Sequence, residues 1–167
     1  LVKKEFFSYM NSPLAYVVIV PFLLISTFMY FRTALVLGDA NLRPFVELLP
    51  WFLVVIGPAL AMRSFADEHR KDTIELLYAH PLPEWLIAAA KFLGIYMFFG
   101  VFLLSTIFLP LTIIVFANPD LGLMIGQYLG AFLVGAVFLS VGMAASAFVT
   151  SSVGSFLLGA AINFVLI

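Results

Sequence analysis

Arg63-Ser-Phe-Ala-Asp-Glu-His-Arg-Lys-Asp-Thr-Ile-Glu-Leu-Leu-Tyr-Ala-His-Pro-Leu-Pro-Glu-Trp85 carries most of the charge of a chain that is otherwise nearly all apolar. Nine Asp, Glu, Lys and Arg residues fall between Arg63 and Lys91, out of 8 basic and 9 acidic residues in the whole sequence. Apolar runs long enough to cross a bilayer flank it on both sides. A plain connection between membrane helices needs only a few polar turn residues. This one is long, alternates in sign and contains the pattern of a helix, which predicts a docking element for something in the aqueous phase.

Within it, Asp72-Thr-Ile-Glu75 has the pattern of a capping box. Asp72 can accept from the first-turn amides, and Glu75 can reach back to the Asp72 amide. Both carboxylates favour the positive end of the helix dipole. Ile74, Leu77 and Tyr78 then share one face, and Pro81 stops the helix after His80. Helices this short rarely form alone in water, so this one must lean on the membrane, on the span ends or on a partner.

Outward from this stretch the composition dictates the solvent. Hydrophobic residues make up 64% of the chain and charged ones 10%, and the mean hydropathy is +1.17. Soluble domains are about half apolar and about a quarter charged, so the surplus here belongs in lipid. A net charge of −1 argues against nucleic acid, which requires a dense basic surface. With no cysteine, disulfides, thiolate metal sites and cysteine nucleophiles are excluded as well. No cleavable leader is expected, because the first apolar run is span-length and no A-x-A-like site follows it.

The expected fold class is an all-α membrane protein with an interfacial helix and several spans. Residues 1–12 read as a helix lying in the interface, apolar side down. Ser12-Pro13 opens the first span, 13–31, with proline at the first helical position. A turn at Gly38-Asp39-Ala40-Asn41 leads to the second span, 45–62, which contains Pro50 and Pro58; Trp51 reads as a headgroup-level anchor. After the 63–91 loop the chain is expected to turn at the interface near Trp85, with Lys91 snorkelling to the headgroups. A third span, 92–117, bends near Pro110. Asn118-Pro119-Asp120 makes a tight turn, and the fourth span, 121–149, carries Gly122, Gly126 and Gly130 on one face. That spacing permits close helix packing. Thr150-Ser151-Ser152 turns the chain into a fifth span, 153–167. Because the sequence opens on Leu1 and ends within an apolar run, it is expected to be the N-terminal part of a longer subunit.

Basic residues orient the spans. Lys3, Lys4, Arg63, Arg70, Lys71 and Lys91 share one side, and Arg32 and Arg43 the other, which puts the N-terminus and the charged loop in the cytoplasm.

Phe65-x-x-Glu68, Thr73-Ile74-Glu75-Leu76-Leu77, Pro81 and Lys91 resemble the membrane subunit of ABC-2 type transporters. Lys4-Glu5-Phe6 with Ser12-Pro13-Leu14-Ala15-Tyr16 resembles the branch that includes gliding-motility and copper-enzyme-maturation permeases. The chain departs from the family pattern at Asp72, where glycine is usual, and at Pro83, where a polar residue is usual. The resemblance implies six spans, a second permease subunit in a homo- or heterodimer, and a separate cytoplasmic ATPase that holds ATP and Mg²⁺. No cofactor is then bound by this chain, and the membrane is that of a bacterial cytoplasm. It also implies that Glu68, Asp72, Thr73, Ile74, Glu75, Leu77, Tyr78 and Pro81 couple to the ATPase, and that the N-terminal helix braces this region.

Other chemistry is poorly supported by the residues. Glu68, His69, His80 and Glu84 do not form an H-E-x-x-H metal motif. Glu47, the one carboxylate near a span, is a weak candidate for a substrate role. Asn163 and Gln127 fit interhelical hydrogen bonds better than ligand contacts. No G-x-x-x-x-G-K-[ST] loop is present, so ATP hydrolysis is expected elsewhere. The rival class is a membrane-embedded enzyme or ion-coupled carrier. It would require several ionisable groups at membrane depth, which the spans hardly offer.

Overall fold

Helices account for nearly all of the computed structural model, which describes residues 2–37, 42–62, 83–116 and 120–167; no strand occurs among them. The short helix α1, Val2–Met10, comes first. Pro13 then starts α2, Pro13–Leu37, as its missing N–H and fixed φ favour. This helix runs past the expected end at Arg32, because one exposed arginine removes no backbone bond and Thr33 continues the ladder. The Thr33 hydroxyl also donates to the Met29 carbonyl at 2.9 Å.

Helix α3, Arg43–Ala61, carries proline in its first turn and again at Pro50 and Pro58. Trp51 lies exposed on its flank. Helix α4 spans Glu84–Leu104 without interruption, so no separate interfacial turn precedes Lys91. The predicted bend is present as a break at 105–107, after which α5 covers Phe108–Phe116.

Pro110 explains the break. Its ring excludes a bond to the Thr106 carbonyl and collides with it in a straight helix. The chain tightens instead, with Thr106 N–H bonded to the Leu103 carbonyl and Ile107 N–H to that of Leu104. The Thr106 carbonyl accepts instead from the Leu109 amide within the tightened turn, at 3.0 Å, and from the Tyr128 hydroxyl of the next long helix, at 3.1 Å.

Asp120 caps α6, Leu121–Phe148, by accepting from the Gly122 and Leu123 amides. Ser151 caps α7, Ser152–Val165, in the same way through the Gly154 amide at 3.0 Å. Among the described residues, three segments are long and apolar enough to cross a membrane: Arg43–Ala61, Trp85–Val115 and Leu121–Phe148. Trp85–Val115 has 31 residues and would reach roughly 46 Å if straight, well beyond a ~30 Å hydrocarbon core.

The bundle is organised around α3, which packs on α2, α6 and α7, while α4 packs on α6 and α1. Two kinds of contact hold it. Phe22 of α2 lies fully buried with its ring 6.0 Å from Phe45 of α3 and 4.4 Å from Phe102 of α4. The α3–α6–α7 junction relies on small residues instead. A side chain at Gly142 would meet the Ala61 Cβ at 3.0 Å and the Gly57 carbonyl at 3.1 Å, and one at Gly159 would meet Pro58 at 3.0 Å. Gly135 lies flat against the Phe99 ring.

The close approach expected at Gly122, Gly126 and Gly130 is not found among the described residues. Nothing lies within 4 Å of a Cβ at Gly126 or Gly130, and Gly122 meets only its own cap, Asp120. A four-residue spacing fixes which face the glycines share but not what that face meets. The neighbours of α6 meet it through Gly135 and Gly142 instead.

Candidate functional site

Both borders of the charged stretch are described. The stretch itself, residues 63–82, is not, so Glu68, His69, Asp72, Thr73, Ile74, Glu75, Leu77, Tyr78, His80 and Pro81 lie outside the described residues.

On the downstream border, Pro83 in extended conformation leads into α4, and Trp85 stands exposed. Roughly 9 Å further along the axis, Lys91 is buried, with its Nζ 3.8 Å from Glu5 Oε1 of α1. Lys91 therefore turns into the protein rather than to the headgroups. A buried ammonium needs a compensating charge, and Glu5 supplies it at a distance in sequence that no local pattern reveals.

Gly94 makes this approach possible. A Cβ there would sit 2.6 Å from the Glu5 Cβ and 3.4 Å from the Phe6 amide nitrogen. Phe6, Tyr9 and Met10 pack against the core, with the Tyr9 and Phe98 rings 6.1 Å apart. The apolar side of α1 thus faces α4, while Lys3, Lys4 and Phe7 remain exposed. A helix forms over Val2–Met10, and its apolar side is covered by protein.

The upstream border is anchored differently. The Met62 carbonyl, just past the end of α3, accepts from the Ser146 hydroxyl of α6 at 3.4 Å. Ala61 meets Gly142 beside it. Residues 63–82 therefore join two packed bodies in chain order: α4 with α1 on one side, and the α3–α6–α7 junction on the other.

Glu47 occupies neither body. It is exposed one turn into α3 and accepts from Arg43 Nε at 2.8 Å, a surface pair of small energetic value. Asn163 is fully buried and donates through Nδ2 to the Phe138 carbonyl at 3.3 Å, the interhelical bond that its side chain suggests. The Glu5–Lys91 pair and Gly94 are the residues that sequence reasoning did not bring together. The opening Lys4-Glu5-Phe6 was legible as a motif, but a glycine inside an apolar run gives no sign of what approaches it.

The family model for ABC-2 family transporter protein matches residues 2–167. No curated protein and no solved structure matches the chain.

Proposed function

The chain belongs to the ABC-2 transporter family, and on that premise we propose that residues 63–82 are the element through which a separate ATPase drives it. Membership implies a permease of an ABC transporter, a component that works with an ATPase subunit and is not generally itself an enzyme. The apolar helices suggest a multi-pass membrane protein.

One observation carries the proposal. The helix entering the bundle directly after residues 63–82 is clamped near its start by α1, through Glu5, Lys91 and Gly94. A lever needs a stiff coupling at its base, and a packed contact of this kind transmits movement rather than absorbing it. In this reading ATP and Mg²⁺ bind on the ATPase. Its closure pushes the short helix capped by Asp72 and Glu75, with Ile74, Leu77 and Tyr78 on the docking face, and α4 moves with α1 against the α3–α6–α7 junction.

The proposal extends to five membrane passes within these residues, counting α2 and α7, and to a second permease subunit. It also places the N-terminus and residues 63–82 on the cytoplasmic side of a bacterial inner membrane. Lys4-Glu5-Phe6 and Ser12-Pro13 support the gliding-motility and copper-enzyme-maturation branch, the more so because Glu5 has a buried partner. Buried titratable groups at membrane depth would have favoured a carrier or an enzyme. Among the described residues, the charged side chain that is buried is Lys91, and it is paired with Glu5.

The test is purification of the full subunit from its native membrane in mild detergent. The expected result is a co-purifying ATPase whose hydrolysis is vanadate-sensitive and changes when the permease is present. A subunit that purifies without any ATPase, and does not alter hydrolysis by the ATPase when the two are mixed, would overturn it.

A further inference from the structure

We propose that the cleft between α4–α5 and the first half of α6 is a binding site for one acyl chain of a membrane phospholipid. The cleft has a volume of about 610 Å³, within the roughly 300–1,000 Å³ of small-molecule pockets. Leu103, Pro110 and Met124 form its buried floor, and Leu104, Ile125 and Leu129 its exposed rim. The side-chain-free Gly100 lies on the same wall as the break at 105–107.

Chemistry restricts the occupant. The hydroxyls nearest the cleft are committed to the helix break: Tyr128 donates to the Thr106 carbonyl, and the Thr106 hydroxyl donates to the Leu103 carbonyl at 2.7 Å. The remaining lining is carbon. A polar ligand entering here would give up its hydrogen bonds to water and gain none, so the site takes hydrocarbon.

Length restricts it further. The α6 wall runs from Leu121, beside the Asp120 cap, to Phe132. At 1.5 Å per residue this is roughly 16 Å, half of a ~30 Å hydrocarbon core. The inner end is closed by Phe132, whose ring stacks on Tyr96 at 4.2 Å while its carbonyl accepts from the Tyr96 hydroxyl at 3.1 Å. A groove about half as long as the hydrocarbon core matches an acyl chain of one leaflet. A docked helix from another subunit would run on across the membrane. Binding would come from packing, since lipid offers no hydrophobic drive for burying carbon.

The inference rests on the membrane placement and not on the ATPase coupling, so either can fail alone. The test uses the full subunit in vesicles containing a phosphatidylcholine with a diazirine at the end of one acyl chain. After photolysis, the labelled peptides are mapped. Retained phospholipid is counted by native mass spectrometry of the detergent-purified protein.

The expected result is label concentrated in 100–111 and 121–132, with one phospholipid retained per subunit. Gly100→Leu should lower both several-fold, because a Cβ there meets only Phe132 Cε2 at 3.5 Å and the added side chain enters the cleft. Leu129→Trp, at an exposed rim position, should do the same without disturbing the fold. Leu157→Trp, on the exposed flank of α7, should change neither. Label spread equally onto α7, or unaffected by Leu129→Trp, would overturn the proposal. So would disulfide linking of two copies through Ile125→Cys, which would make the occupant protein.

Discussion

Glu5, Lys91 and Gly94 form the contact on which the arrangement of α1 depends, and each contributes by a different mechanism. Lys91 is buried while Glu5 is about a quarter exposed, with 3.8 Å between the charged atoms. Removing one member of a fully buried pair costs about 3–5 kcal/mol. This partly hydrated pair, wider than a hydrogen bond, should lose less, about 1 kcal/mol for Glu5→Ala. Thermal unfolding of the purified subunit should show that loss. Equal melting of Glu5→Ala and the natural protein would mean that the pair does not hold α1. Gly94→Leu acts sterically and should release α1 even with the pair intact, which limited proteolysis of the first ten or so residues would detect. The α6 glycines offer a matched contrast. Gly126→Ala fills open space and should be neutral, or stabilising by up to about 1 kcal/mol through helix propensity. Gly142→Val pushes into Ala61 and the Gly57 carbonyl and should cost about 1–3 kcal/mol as overpacking. The reverse ranking would contradict the junction described here.

Among the elements, the break between α4 and α5 makes a prediction of its own. Pro110 denies the Thr106 carbonyl its usual helical donor, and the Tyr128 hydroxyl at 3.1 Å joins the Leu109 amide at 3.0 Å in satisfying it. Tyr128→Phe should therefore destabilise by about 0.6–1 kcal/mol, the range for such bonds within membranes. In a Pro110→Ala background the same change should cost less, because the N–H of residue 110 then adds a second backbone donor beside that of Leu109. A double-mutant cycle by chemical denaturation in detergent measures this, and additive effects would sink the explanation. These elements also show what can be read from sequence. Pro13, Pro110, Asp120 and Ser151 act on their own backbone within one turn, so helix starts and the bend were legible to within a few residues. Arg32 misled because charge marks where a membrane surface lies without ending a helix. Lys91 misled because a lone lysine in an apolar run reads as snorkelling until its partner is known, and Glu5 lies in a separate helix. Gly122, Gly126 and Gly130 obey a packing pattern, yet Gly135 and Gly142 make the contacts, because docking is decided by the surfaces of α3 and α4 as well. Of the candidate site, the charged stretch was legible by composition, whereas the bracket that holds its ends is tertiary.

At the scale of the whole molecule, the basic residues predict that Lys3, Lys4 and residues 63–82 share the cytoplasmic side. Lys71→Cys should resist an impermeant thiol reagent on intact cells and react in inverted vesicles, while Asp39→Cys should do the opposite; exchanged labelling would invert the topology. The central claim is that this ABC-2 permease is driven through the helix beginning at Asp72, and co-purification of its ATPase with the Leu77→Asp subunit tests it most directly. Burying an unpaired carboxylate in a contact costs several kcal/mol, and a coupling contact below about 1,200 Å² has little to spare. Glu75→Ala, which removes half of a capping box worth about 1 kcal/mol, sets the scale for a mild lesion. The account predicts that Leu77→Asp inserts normally, melts like the natural subunit, and loses the ATPase or its control of hydrolysis, while Glu75→Ala keeps most of both. A Leu77→Asp subunit that retains its ATPase in full and stimulates hydrolysis as the natural one does would contradict it.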